Sequence, residues 1–91
     1  MQLNSKFNLG DKVLILIHKD GKPVLARYIV INIQVRTNGV KSLEDPTPVI
    51  EVYYDLSADQ LDIPKGVDSI NEDVVWHSVQ EFMDSVVINL N

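Results

Sequence analysis

The chain has 91 residues, a formal net charge of −5 and no cysteine. This length predicts a single domain, residues 1–91, with a modest core. The lack of cysteine excludes disulfides, thiol nucleophiles and thiolate metal sites. No apolar run reaches the roughly 20 residues of a membrane-spanning helix, and the first residues include no apolar leader segment. We therefore expect a cytoplasmic protein that does not act at a membrane.

Charge is distributed unevenly along the chain. Lysine and arginine concentrate in residues 1–41, whereas acidic residues dominate residues 55–91. Either the two halves lie together and neutralise each other, or the domain has separate basic and acidic faces. The candidate basic face consists of Lys12, Lys19, Lys22, Arg27, Arg36 and Lys41. The candidate acidic loop consists of Asp55, Asp59, Asp62, Asp68, Glu72 and Asp73.

The first predicted element is a strand over residues 12–18, after a Gly10-Asp11 turn. Apolar residues occupy both faces of this strand, so we expect part of it to be covered on both sides. Asp20-Gly21 then predicts a tight hairpin.

A long strand is predicted over residues 24–36. Its predicted core face consists of Ile29, Ile31, Ile33 and Val35. Its predicted solvent face consists of Asn32, Gln34 and Arg36, with Val30 among them. Because thirteen residues are many for one straight strand, we expect this strand to bend and to serve both halves of a barrel.

Residues 41–48 contain Pro46 and Pro48 and predict an exposed loop. An alternative stays open, in which Asn38-Gly39 makes a tight hairpin and the next strand begins at Val40. The third strand is predicted over residues 49–56. Its two faces are Ile50, Val52, Tyr54 and Leu56 on one side and Glu51, Tyr53 and Asp55 on the other.

The last third of the chain predicts a loop, a short strand and a helix. Residues 57–73 are polar and acidic and predict a loop with one helical turn near residues 57–61. A short strand is predicted over residues 74–76. Ser78 and Glu81 then form a capping box that begins a helix. The β-branched residues after Ser85 favour a return to the sheet as a closing strand.

One group of residues carries a resemblance to a known kind of protein: Phe7, Gly10, Asp11, Val13, Tyr53, Tyr54, Trp76, Ser78 and Glu81. With these residues the chain resembles short hypothetical proteins of phages and prophages that have an SH3-like barrel. The resemblance implies a mainly β fold, a small SH3-like barrel of four or five antiparallel strands with one short C-terminal helix. A Gly-Asp-x-Val start also opens KOW-type, Tudor-like and integrase C-terminal barrels. Those relatives mostly bind nucleic acid, RNA polymerase or peptides, but no functional motif of theirs matches here.

No constellation of residues predicts catalysis. His77 and Ser78 are adjacent on an extended backbone and point to opposite sides, so Ser78 is interpreted as a helix cap. The acidic residues do not have the spacing of a calcium loop, and no glycine-rich phosphate loop is present. We therefore expect no enzyme activity, no metal site and no cofactor. Tyr28 and Tyr53 are the aromatic residues that we expect to be exposed.

These patterns predict a protein-interaction module that docks on an unidentified protein through an edge strand or the acidic loop. The alternative is a nucleic-acid-binding barrel that uses the basic N-terminal half, although a pI of about 4.7 argues against it. Self-association into a homo-oligomer through exposed strand edges is a third prediction.

Overall fold

The computed structural model describes residues 5–90, with side chains to Val86. Four strands form one antiparallel sheet in the order β1-β2-β3-β4. The elements are β1 (Lys12–Lys19), β2 (Lys22–Val40), β3 (Pro48–Ala58), β4 (Gly66–Asn71), a 3₁₀ helix (Glu72–Val74) and α1 (Val79–Leu90). Over residues 5–90 the sheet is not closed, since β1 does not pair with β4. The prediction of a mainly β fold with one short C-terminal helix is confirmed.

The turn between β1 and β2 follows directly from its sequence. Lys19 pairs with Lys22, and the two residues between them, Asp20 and Gly21, have φ angles of 53° and 77°. Positive φ at both central positions is the type I′ geometry that matches the twist of a hairpin, and it favours Asp-Gly. The predicted hairpin is confirmed.

Strand β2 contains a β-bulge at Ile31. The register with β3 moves from Val30 opposite Leu56 to Asn32 opposite Asp55, which leaves Ile31 unpaired and 56% exposed. A bulge inserts one extra residue, so the side of the sheet occupied by odd-numbered residues changes there. The strand pairs with both β1 and β3, as its length predicts.

The predicted faces of β2 are therefore wrong over part of its length. Before the bulge the core side carries Ala26, Tyr28 and Val30, and after it the core side carries Ile33 and Val35. Val30 is buried although it was assigned to the solvent side, and Ile31 is exposed although it was assigned to the core. The predicted faces of β3 are confirmed, because Tyr54 and Leu56 are buried.

The loop predicted over residues 41–48 is confirmed, and the loop predicted over residues 57–73 is wrong. Strand β2 continues to Val40, and the chain reverses over residues 41–47, so the predicted loop is confirmed. Asn38-Gly39 lies at a register shift within β2, where Gly39 has φ 73°, so the tight-hairpin alternative is wrong. Residues 57–73 are not one loop, since they contain β4 and most of the 3₁₀ helix.

The C-terminal segment returns to the free edge of β1 at a single residue. Trp76 exchanges two backbone hydrogen bonds with Leu14, of 2.8 and 2.9 Å. The Oγ of Ser78 accepts the N–H of Glu81 at 3.2 Å and caps α1, whereas the Glu81 carboxylate pairs with the Lys6 ammonium at 2.7 Å. The helix continues to Leu90, so the expected closing strand is wrong. No helix described here is long and apolar enough to cross a membrane.

The core lies on one side of the sheet and contains nine buried residues: Phe7, Val13, Ile15, Ala26, Tyr28, Val30, Tyr54, Leu56 and Val75. The Tyr54 hydroxyl accepts the N–H of Phe7 at 3.2 Å and donates to Glu72 at 2.5 Å. Burial, together with the bond to Glu72, raises the pKa of Tyr54 to about 12. The expected exposure of Tyr28 is wrong, because its ring is buried and its hydroxyl donates to the Pro64 carbonyl at 2.8 Å.

Candidate functional site

Strands β2 and β3 continue beyond Lys12, the first residue of β1, as a two-stranded ribbon, which we call the arm. The arm consists of residues 32–40 of β2 and residues 48–55 of β3, paired from Asn32–Asp55 to Val40–Pro48. Among the described residues, no third strand pairs with its outer part, residues 35–40 and 48–52. The radius of gyration of 15.0 Å exceeds the value of about 12 Å for a compact chain of this length, which is consistent with a projecting arm.

One face of the arm is polar and is centred on two carboxylates. Asp55 accepts hydrogen bonds from the side chains of Asn32 at 3.0 Å and Gln34 at 2.8 Å, and from the N–H of Ser69 at 2.9 Å. Ser69 has φ 55°, an uncommon angle for this residue, at a register irregularity of β4. The hydrogen bonds from Asn32 and Ser69 lower the pKa of Asp55.

The second carboxylate, Glu51, organises the outer part of the polar face. It accepts hydrogen bonds from the Tyr53 hydroxyl at 2.6 Å and from the Asn38 amide at 2.5 Å, and these bonds lower its pKa. The Arg36 guanidinium lies 4.3 Å from the centre of the Tyr53 ring and donates to the Ser69 hydroxyl at 2.9 Å. Tyr53 is therefore half-buried beneath Arg36, and the polar side chains of this face satisfy one another.

The opposite face of the arm is apolar and contains no charged residue. It consists of Ile33, Val35, Thr37 and Val40 from β2 and Pro48, Ile50, Val52 and Tyr54 from β3. Ile33 and Val52 pack against the core. Further out, Val35 is 41% exposed, and Val40 and Ile50 are each 50% exposed. The alternation that builds the core thus continues beyond the elements that cover it.

The structure does not gather the six acidic candidates into one loop. Asp55 belongs to the polar face of the arm, and Glu72 accepts the Tyr54 hydroxyl and the N–H of Lys6. The carboxylate of Asp59 lies 3.9 Å from the Lys12 ammonium. The remaining three are exposed, with Asp62 in the loop between β3 and β4, Asp68 in β4 and Asp73 in the 3₁₀ helix.

The basic candidates likewise occupy separate places. Lys19 and Lys22 face each other at the β1–β2 turn. The polar face of the arm holds Arg36, and Lys41 follows β2 at the far end of the arm. Lys12 and Arg27 lie together beside a pocket of about 250 Å³, whose lining is completed by Val13, Leu14, His77 and Val79.

The residues tested for chemistry have structural contacts. Ser78 caps α1, and the His77 ring lies 4.3 Å from the ring of Phe7. Within residues 5–90, no three His, Asp or Glu side chains are grouped as a metal ion would require.

The arm was not predicted as a surface, although the sequence contains two signals for it. Ile50 and Val52 continue the alternation of β3 outward from Tyr54 and Leu56. Because a turn was expected at Asn38-Gly39, the outer end of β2 was not predicted. The strand pairs with β3 as far as Val40. Extending both strands to their full lengths would have shown an apolar stripe longer than a small core can cover.

Comparison with protein-family models, with curated proteins and with solved structures finds no match for this chain.

Proposed function

We propose that this protein is a non-catalytic protein-interaction module that binds its partner through the apolar face of the arm. The observation that carries the proposal is the exposure of Val35, Val40 and Ile50 on a strand pair whose opposite face consists of polar side chains that hydrogen-bond to one another and to Ser69. A two-stranded ribbon is marginally stable in water unless a further strand or helix covers its apolar side. Binding a partner would supply that cover.

The chemistry of this face indicates the kind of partner surface. No charged side chain lies on it, and the nearby charges of Arg36, Glu51 and Asp55 are engaged on the opposite face. A charged partner surface would lose its hydration without gaining an opposite charge. The proposed partner therefore presents an uncharged apolar strand or helix face. A second copy of this chain is one protein that presents such a surface.

We also propose that the fold is a variant of the SH3-like barrel, as in the phage and prophage proteins that the chain resembles, and that it acts in the cytoplasm. The position of Trp76 supports the barrel proposal. Its bridge to Leu14 lies at the edge of β1 opposite β2, where a fifth strand of such a barrel would pair.

A nucleic-acid role has less support, because the six candidate cations are divided among four places and Arg36 is engaged with Tyr53 and Ser69. Phosphate binding depends on a concentrated positive surface.

The test compares two isoleucine substitutions at positions of similar exposure. Ile50→Lys places a charge on the apolar face of the arm, and Ile31→Lys places the same charge at the bulge. The wild type and both variants are immobilised as full chains, exposed to lysate of the native organism or its host with and without nuclease treatment, and analysed by mass spectrometry. Light scattering during gel filtration measures self-association in parallel.

The proposal predicts that a protein partner, or a second copy, is retained by the wild type and by Ile31→Lys and is lost with Ile50→Lys. Equal retention by Ile50→Lys would show that the arm is not the binding surface. Retention that disappears after nuclease treatment would favour the nucleic-acid alternative instead.

A further inference from the structure

We propose that the pocket beside β1 binds a carboxylate carried on a small apolar group, with Lys12 and Arg27 holding the carboxylate. The site shares no residue with the arm, so this inference is independent of the function proposed above. Its pocket of about 250 Å³ is formed by the outer side of the β1–β2 hairpin and by the chain that enters α1.

The strand register places the two cations together. Lys12 pairs with Ile29 and Leu14 pairs with Arg27, so Lys12 and Arg27 are diagonal neighbours on the same side of the sheet. Leu14 also bridges to Trp76, and the residues that follow Trp76 contribute His77 and Val79 to the lining of the pocket. The hairpin and the start of α1 thus hold two positive side chains at the margin of one cavity.

Of these two side chains, Arg27 is the one whose charge has no opposite charge beside it, since it forms no ion pair with a described residue. Lys12, whose side chain is 74% exposed, pairs with Asp59 at the long distance of 3.9 Å. Arg36 provides the contrast, since it is stacked on Tyr53 and bonded to Ser69. An unpaired arginine beside a cavity is notable in a chain with 13 acidic and 8 basic residues. It leaves a fork of donors that suits a carboxylate.

The lining of the pocket determines which chemical group can carry the carboxylate. Leu14 and Val79 make its lining largely apolar, which favours a ligand with an apolar body over inorganic phosphate. The volume lies just below the roughly 300–1,000 Å³ of sites for drug-sized ligands and suits a single branched aliphatic or phenyl group. Two sources share this chemistry: a free small acid and the C-terminal residue of a peptide.

The test titrates the full chain with matched probes while amide signals are followed by NMR. The free-acid pair is 4-methylpentanoate and its amide, and the peptide pair is Gly-Gly-Leu with a free or an amidated C-terminus. Inorganic phosphate is the third probe. We expect the acids, and not the amides or phosphate, to shift the amide signals of Leu14, His77 and Val79.

Three variants separate this proposal from non-specific charge attraction. Arg27→Gln is expected to weaken binding about tenfold or more, because a charge-assisted bidentate contact is lost. Lys41→Gln, which removes an exposed charge at the end of the arm, is the matched control and is expected to leave affinity unchanged. Val79→Asp places a carboxylate at the first residue of α1, where an acidic side chain is compatible with the helix, and is expected to block the pocket.

Binding of 4-methylpentanoate alone would assign the site to a free acid, and binding of the peptide alone would assign it to a C-terminus. Equal affinity for acid and amide, equal affinity for phosphate, or unchanged affinity in Arg27→Gln would overturn the proposal.

Discussion

The arm continues strands β2 and β3 of the body of the sheet, which consists of β1, β4 and the remaining residues of β2 and β3, yet the two regions differ in what covers their apolar side. In the body, Leu56 is buried together with Phe7 and Val75. In the arm, Ile50 continues the same face of β3 and is half exposed. The alternation of apolar residues along β3 continues from the body into the arm, whereas the residues that cover the apolar face are present only over the body.

This difference shows what the alternation of apolar and polar residues can predict. It indicates that one face of a strand is to be buried, but it does not indicate which residues cover that face. In the body, the N-terminal segment and the C-terminal return supply the cover. In the outer part of the arm, Val35, Val40 and Ile50 remain 41–50% exposed, while the side chains of the polar face form hydrogen bonds. This difference between the two faces of the arm is the physical basis for the proposal that the apolar face binds a partner.

The largest expected effect comes from truncating matched residues on the same face of β3. Leu56→Ala is expected to lower the free energy of unfolding by about 2–5 kcal/mol, because it leaves a cavity in the core. Ile50→Ala is expected to lower it by less than about 1 kcal/mol, because that side chain is already half exposed. Urea denaturation of the isolated chain measures both.

If Leu56→Ala does not fold, the pair Ile15→Val and Ile50→Val gives the same comparison, with an expected loss of about 0.5–1.5 kcal/mol at the buried position. Equal losses at the two positions would mean that the arm is covered in solution by the chain itself, and the contrast between body and arm would fail.

A smaller effect is expected from the buried hydroxyl of Tyr54. Its folded pKa of about 12 lies above the ordinary value of 10.0, so the associated stability is present below pH 10 and is lost as pH rises through about 12. The difference in unfolding free energy between the wild type and Tyr54→Phe should therefore shrink by on the order of 2–3 kcal/mol over that interval. Denaturation at pH 9 and pH 11 measures the trend. A difference that stays constant with pH would contradict it.

Much of the fold follows from local sequence, and the failures have identifiable causes. Asp20-Gly21 predicts the hairpin because a type I′ turn needs positive φ at both positions. Strand β4 was missed because its apolar residues, Val67 and Ile70, are three positions apart, and an irregularity near Ser69 interrupts the period of two. The prediction of the fold class rested on apolar alternation over long stretches of sequence. An irregularity of a single residue leaves most of that alternation in place.

The candidate surfaces were less predictable than the fold because they depend on register. Arg36 and Tyr53 come together only when Arg36 lies opposite Glu51 and Gln34 lies opposite Tyr53. Lys12 and Arg27 share a pocket only through the β1–β2 register. Charge distribution placed the three cations on one broad basic face, and strand alternation placed Tyr53 on an exposed face; the strand pairing puts the four residues at two separate parts of the sheet.

The smallest effect tests the bulge that connects the body to the arm. If Ile31 is an extra residue, its deletion joins Val30 to Asn32 and gives a regular ladder, with Val30 and Ile33 still on the core side. We expect the variant with this deletion to fold and its unfolding free energy to change by no more than about 1 kcal/mol, because the Ile31 side chain is exposed.

Deletion of Gln34, within a regular stretch, is the control, because it would reverse the side of the sheet that every later residue of β2 faces. Urea denaturation and the binding of a fluorescent apolar dye distinguish the two deletions. Equal damage from both would mean that Ile31 has a role in packing and that the faces of the arm do not depend on the bulge.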